Sequence, residues 1–76
     1  MMYCVFYDDL ENPEDEFYEF CVEANDCYEA ERLFHEFANG NKNLKIYAIG
    51  YLVKQSKHMQ YKHVIIERRF METVTT

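Results

Sequence analysis

Residues that interrupt regular structure are scarce in this sequence: its 76 residues include two glycines and one proline. A disordered acidic tail would contain more of them, and aliphatic and aromatic residues run through both halves, so we expect one compact domain over residues 1–76. No run of about 18 apolar residues is present, so we expect no transmembrane helix. The first residues lack a basic segment and a cleavage site, so we expect no signal peptide and a cytoplasmic protein.

Cysteine is also scarce, and its number is odd. The three cysteines are Cys4, Cys21 and Cys27, and their spacing matches no zinc pattern. Without an export signal, they are expected to be reduced thiols in a cytosol. We therefore expect no metal site and no cofactor.

The sequence lacks a recognisable catalytic motif, so we expect no catalytic residue and no enzyme. Ser56 has no G-x-S-x-G context. Cys27 stands at a helix N-terminus, which would lower the pKa of its thiol. His35 lies about two turns further along that helix, too far to activate the thiol as a base, so Cys27 is better interpreted as a small core residue. His58 and His63 have the spacing of no known metal site.

Basic residues are nearly absent from the first half of the chain. Residues 1–36 contain twelve of the fourteen acids and one base, Arg32, which gives a formal charge of −11. Residues 37–76 contain seven bases and two acids, which gives +5. Such polarity produces a field that selects partners by the sign of their charge. The pattern favours a binding protein over any particular reaction.

Aromatic residues are abundant, with seven tyrosines and six phenylalanines. Each buried ring removes roughly 150–250 Å² from water, and thirteen rings exceed the need of so small a core. Some should face a partner or a second copy of the chain, so a homodimer is possible.

Alternating and apolar runs predict four strands. Residues 2–7 and 16–24 should form an antiparallel hairpin, with a loop over residues 8–15 that contains Pro13. The even positions of the second strand are apolar (Tyr18, Phe20, Val22 and Ala24). Residues 44–54 should form a central strand, because both of its faces are apolar. After a polar turn over residues 55–60, residues 61–70 should form the fourth strand, and residues 73–76 a frayed tail.

A helix is predicted over residues 26–39. Asp26 and Glu29 fit a capping box, and Asn39-Gly40 fits a left-handed stop. Apolar residues follow at helical spacing: Ala30, Leu33, Phe34, Phe37 and Ala38. The order ββαββ predicts an α+β fold, an antiparallel sheet with one helix on one face. Within residues 59–72, a helix with Met59, His63, Ile66 and Phe70 on one face is the alternative to a strand.

One helix covers only one face of such a sheet. We expect the other face to be apolar, aromatic and partly acidic, and therefore an interaction surface or dimer interface. The residues assigned to it are Phe17, Tyr47, Ile49, Tyr51 and Val53, with Glu19 and Glu23.

The acids of residues 8–16 are the sharpest local signal, six in nine residues. A solvated hairpin tip is one interpretation, and a calcium loop is disfavoured because the D-x-D-x-D-G spacing is absent. The third is mimicry of DNA charge, in which a basic DNA-binding surface binds this protein instead of DNA. The expected partner-binding residues are Asp8, Asp9, Glu11, Glu14, Asp15, Glu16, Glu19 and Glu23.

The basic second half has a simple structural interpretation. If strands three and four lie beside strand two, Lys45 or Lys54 would neutralise Glu19 or Glu23 across strands. Direct nucleic-acid binding is disfavoured, because Arg68-Arg69 is the only basic pair and the net charge is −6.

The acid cluster DDLENPEDE, the acids that continue to Glu36 and the short length resemble the small acidic early proteins by which bacteriophages block host machinery. Several of those are DNA mimics. The resemblance is compositional, covers residues 8–36 and transfers no site. It implies an inhibitor of a basic host DNA-binding protein, such as an HU-like nucleoid protein, in the bacterial cytoplasm. The alternative is an adaptor or inhibitor that docks on a host enzyme through the aromatic sheet face or an edge strand.

Overall fold

The computed structural model describes residues 1–13, 16–55 and 62–70. The described elements are β1 (Met2–Asp9), β2 (Tyr18–Glu23), α1 (Cys27–Ala38), β3 (Leu44–Gln55) and β4 (Lys62–Arg69). The strands form one antiparallel sheet in the order β2-β1-β3-β4. The predicted α+β fold is confirmed, with α1 between β2 and β3 in the chain and packed on one face of the sheet.

The helix begins and ends where the sequence predicts. The Asp26 carboxylate accepts a hydrogen bond from the Glu29 backbone N–H at 2.8 Å, and the Glu29 carboxylate accepts one from the Asn25 N–H at 3.0 Å. At the other end Asn39 has φ 49°, and its N–H donates to the His35 carbonyl. Both ends therefore satisfy backbone groups that a helix leaves unpaired.

The core lies between α1 and the helix-side face of the sheet. Phe34, Val5 and Ile49 are almost completely buried there. The remaining buried members of this cluster are Tyr3, Ala24, Cys27, Ala30 and Ile46. The even positions of β2 face the same core, as predicted, because Phe20 and Val22 pack against it. Alternation along β1 then directs Met2, Cys4 and Phe6 to the opposite face, here called the open face.

The fourth strand is confirmed, and a helix is wrong for residues 62–70. Gln55, predicted to begin the polar turn, is the last residue of β3, whereas residues 56–60, which include Met59, and the predicted tail lie outside the described residues. The first strand is longer than predicted, because Asp8 and Asp9 continue β1 and pair with Lys45 and Leu44 on β3.

The predicted membership of the open face is partly wrong, and the cause is an irregular register between β1 and β3. Phe6 pairs with Ala48, whereas Tyr7 pairs with Ile46, so β3 contains an extra residue there. A bulge of this kind reverses the alternation beyond it. Ile49 is consequently buried in the core and Tyr51 packs against it.

Candidate functional site: an acidic sheet edge

The strand order separates the two charges of the chain in space. The strands of the acidic half, β1 and β2, fill one side of the sheet, and β2 forms its edge. The strands of the basic half, β3 and β4, fill the other side, and β4 forms the opposite edge with Arg68 and Arg69. The charge division along the sequence is therefore also a division across the width of the sheet.

Four of the predicted partner-binding residues are exposed, two on β2 and two on the connection that precedes it: Glu19, Glu23, Glu11 and Glu16. We call these four residues the acidic edge. Glu19 and Glu23 lie on the same face of β2, since both occupy odd positions. The Glu23 carboxylate lies 2.8 Å from the N-terminal amine. Glu14 and Asp15 lie outside the described residues.

The other two predicted residues, Asp8 and Asp9, lie in β1 instead of the loop and are half-buried. Asp9 shapes the turn that follows, because its carboxylate accepts hydrogen bonds from the Glu11 N–H at 3.0 Å and the Asn12 side-chain amide at 3.2 Å. Such local bonds are typical of aspartate at turns. Asp9 is therefore occupied in positioning the acidic loop, and Asp8 pairs in register with Lys45.

The prediction that β3 and β4 lie beside β2, where their lysines would neutralise the glutamates of β2, is wrong, because neither strand is a neighbour of β2. β1 lies between β2 and β3, so Lys45 is in register with Asp8, and Lys54 is in register with His63 on β4. The two chain halves meet along β1 and β3, and the carboxylates of the β2 edge stay at the side of the sheet remote from β4.

Two carboxylates of the helix form ion pairs with arginine. Glu36 lies 2.9 Å from the Arg32 guanidinium, and Glu31 lies 2.8 Å from that of Arg68. Glu11 and Glu16 have no ion pair within the part of the chain that the structure describes. The negative potential should therefore be strongest near the β1–β2 connection.

Arg68 has a structural role, which sequence reasoning missed. Its guanidinium carbon lies 4.7 Å from the ring centroid of Tyr28 and 4.4 Å from that of Phe70. The hydrogen bond to Glu31 raises the pKa of Arg68, although burial opposes that rise. Arg68 therefore fastens β4 to α1 and contributes little free charge for a phosphate backbone.

Cys27 behaves as a core residue, as interpreted from the sequence. Burial raises the pKa of its thiol, and the nearby Glu67 carboxylate raises it further, while Arg68 opposes them. A raised pKa leaves less of the thiolate that a nucleophile needs. Next to it, the Tyr3 hydroxyl donates to Glu67 at 3.1 Å, and burial with this bond raises the pKa of Tyr3 to about 12.

The open face carries an aromatic pair near the acidic edge. The rings of Phe17 and Tyr47 stack with centroids 4.2 Å apart, and 43% and 37% of these residues remain exposed. Both were predicted on this face. The predicted Val53 is 53% exposed and lies at a register irregularity between β3 and β4, between Leu52 and Lys54.

The open face also gathers three ligand-type side chains. Cys4 and Cys21 are directly opposed on β1 and β2, with sulfur atoms 3.0 Å apart, and a Glu19 carboxylate oxygen lies 3.8 Å from the Cys21 sulfur. The spacing of the cysteines along the chain gave no sign of this cluster. Only the pairing of the strands brings residues 4 and 21 together.

A depression of about 520 Å³ lies between the C-terminal end of α1 and the start of the β1–β2 connection. Its lining includes Tyr7, Tyr18 and Phe37, with Asp9 among the polar groups. Since Asp9 is engaged by its own turn, the described lining offers no free base beside a nucleophile. This depression therefore supports no catalytic assignment.

No described helix is long and apolar enough to cross a membrane, as α1 has 12 residues. Comparisons of the sequence and structure with protein-family models, curated proteins and solved structures found no match. The functional argument consequently depends on the residues and geometry of this chain alone.

Proposed function

We propose that this protein is a non-enzymatic inhibitor that binds a basic bacterial DNA-binding protein, for example an HU-like nucleoid protein, and blocks its binding to DNA. The observation that carries the proposal is the acidic edge: exposed carboxylates on an edge strand and its connection, at the side of the sheet remote from the basic strand β4. The proposal places the protein in the bacterial cytoplasm, bound to protein and not to nucleic acid.

The acidic edge can imitate part of the charge of one DNA strand. Six residues of β2 span about 20 Å at roughly 3.3 Å per residue. One strand of B-DNA places about six phosphates along that length, at one per roughly 3.4 Å of axis. β2 itself contributes two exposed carboxylates, those of Glu19 and Glu23, and Glu11 and Glu16 precede it on the connection from β1. A basic groove that contacts one phosphate row would therefore meet negative charge along this strand, at a lower density than on DNA.

Salt should control this binding. Attraction between exposed charges is screened over a Debye length of about 8–10 Å. Affinity should therefore fall several-fold or more between 50 and about 200 mM salt, mainly through slower association. Affinity capture from bacterial lysate at low and high salt would identify partners with this behaviour.

Competition with DNA is the direct test. The captured partner is titrated with this protein in a gel-shift assay with labelled DNA, and the DNA should be displaced. Glu16→Lys and the double variant Glu11→Lys/Glu16→Lys should slow association and weaken displacement. Glu36→Lys is the matched control for Glu16→Lys, because it changes the net charge equally on the exposed side of α1. Ternary complexes with no DNA displaced at saturation would refute mimicry.

A second candidate function, an adaptor or inhibitor that docks on a host enzyme through the open face, is favoured by the exposed stack of Phe17 and Tyr47. Aromatic residues are frequent anchors of protein interfaces. Phe17→Ala/Tyr47→Ala should abolish this binding, while Glu11→Lys/Glu16→Lys and a rise in salt should change it little. The opposite pattern supports DNA mimicry.

A further inference from the structure

The open face holds two cysteines that the proposed function does not use, and they lie beside Glu19 of the acidic edge. Strand register places Cys4 opposite Cys21, and Glu19 precedes Cys21 by two residues on the same face. The two sulfur atoms and a Glu19 carboxylate oxygen all lie within 4.8 Å of one another. We propose that Cys4, Cys21 and Glu19 bind a zinc ion.

One of the ligand distances fits a tetrahedral zinc site, and a second needs a small change. Zinc lies about 2.3 Å from thiolate sulfur and about 2.1 Å from carboxylate oxygen, so tetrahedral angles separate two sulfurs by about 3.8 Å and a sulfur from an oxygen by about 3.6 Å. The Cys21–Glu19 distance of 3.8 Å already fits. The sulfur atoms, 3.0 Å apart, must separate by about 0.8 Å. Exposed Cys21 can supply this by a small side-chain rotation.

The scaffold holds these ligands on paired strands. Cys4 is fully buried in β1, a central strand that pairs on both sides, and Cys21 is exposed on β2. One ligand is thus fixed in the sheet interior, while the other two lie at the edge, where an ion can enter. Ligands on regular elements are held more rigidly than ligands on loops.

The ligand chemistry selects the metal. Thiolates favour zinc, copper(I) and iron over magnesium or calcium, which prefer oxygen alone. Two thiolates and one carboxylate leave one tetrahedral position for water.

Cobalt(II) titration of the reduced protein, followed by zinc displacement, tests the site. Cobalt bound to thiolate absorbs in the near ultraviolet, so the wild type should develop this band with one ion per chain, and zinc should remove it. Binding should release protons, because both thiols must ionise. A phosphine reductant keeps the cysteines reduced without adding a competing thiol.

Matched variants locate the ligands. Cys4→Ser and Cys21→Ser should each weaken cobalt binding at least ten-fold, and Glu19→Gln should weaken it measurably. Cys27→Ala removes the third thiol, which lies in the helix-side core, and should leave the affinity unchanged, as should Glu23→Gln on the same face of β2. Circular dichroism confirms that each variant is folded.

Any of three results would overturn the site. One is the absence of the near-ultraviolet band in folded, reduced wild-type protein at millimolar cobalt. Another is binding of equal affinity in the double variant Cys4→Ser/Cys21→Ser, which would place the ion elsewhere. Loss of binding in Cys27→Ala with retained fold would contradict the assignment in the same way.

Discussion

Replacement of Phe34 by alanine tests whether the core really lies under α1. Phe34 is 1% exposed, and its ring contacts those of Tyr7 and Phe20, with centroids 4.9 and 5.8 Å away. A buried aromatic removes about 150–250 Å² from water, which at about 25 cal/mol per Å² corresponds to about 4–6 kcal/mol. Alanine keeps the Cβ atom, so the expected loss in unfolding free energy is about 3–5 kcal/mol.

The matched control is Phe37→Ala, one turn further along the same helix. Phe37 is 53% exposed although it stacks on Phe20 at 4.7 Å. About half the burial predicts about half the loss, roughly 2 kcal/mol. A chain of this length has a total stability of about 4–11 kcal/mol, so Phe34→Ala should remove a large part of it.

Urea denaturation followed by circular dichroism measures both losses. With a slope near 1 kcal/mol per molar for a small domain, the midpoint for Phe34→Ala should fall by several molar, and that for Phe37→Ala by about 2 M. Equal losses in the two variants would refute the reasoning, because they would mean that burial does not distinguish the two rings. An unchanged midpoint for Phe34→Ala would place the core elsewhere.

Four further predictions follow from local geometry. Asp26→Ala should cost about 0.5–2 kcal/mol in urea melts, since it removes the acceptor of the Glu29 N–H, and an unchanged midpoint would contradict the cap. Gly50→Ala should destabilise the domain by about 1–3 kcal/mol, because a Cβ at this position would lie 2.4 Å from the Ile65 carbonyl oxygen, and wild-type stability would show that β3 and β4 separate freely. The pKa of Tyr3, raised from 10.0 to about 12, means that the unfolded chain loses this proton first, so stability should fall as the pH rises from about 10 to 12; Tyr3→Phe should lack this component, and parallel pH profiles in melts of the two proteins would refute it. Light scattering at micromolar concentration should show a homodimer, and a mass near 9.3 kDa at every concentration would exclude it.

Sequence patterns were sufficient wherever local chemistry decides the structure. The capping box at Asp26, the left-handed stop at Asn39 and the apolar spacing around Phe34 located α1 to within a residue at each end. These signals are reliable because the cap and the stripe act within one or two turns of the chain. The strands were found for a similar reason, since alternation along β2 matches its buried and exposed positions.

The charge division and the acidic residues could be read from the sequence, but the arrangement of these residues in space could not. Nothing local says that β1 pairs with both β2 and β3, and this pairing places Lys45 in register with Asp8 on β1. The sequence does not distinguish Asp9 from the other acids of residues 8–16. In the structure its carboxylate accepts a hydrogen bond from the Glu11 N–H and so stabilises the turn.

Tertiary structure alone decided two features of the open face. Side chains alternate between the two faces of a strand with a period of two, so a single extra residue reverses the faces beyond it. The extra residue of β3 therefore directs Ile49 to the core. Cys4 and Cys21 meet because their strands are antiparallel and in one particular register. Such contacts depend on long-range pairing, which a spacing along the chain does not encode. The sequence by itself therefore determined the elements and their charge, and the pairing of the strands determined which side chains share a site.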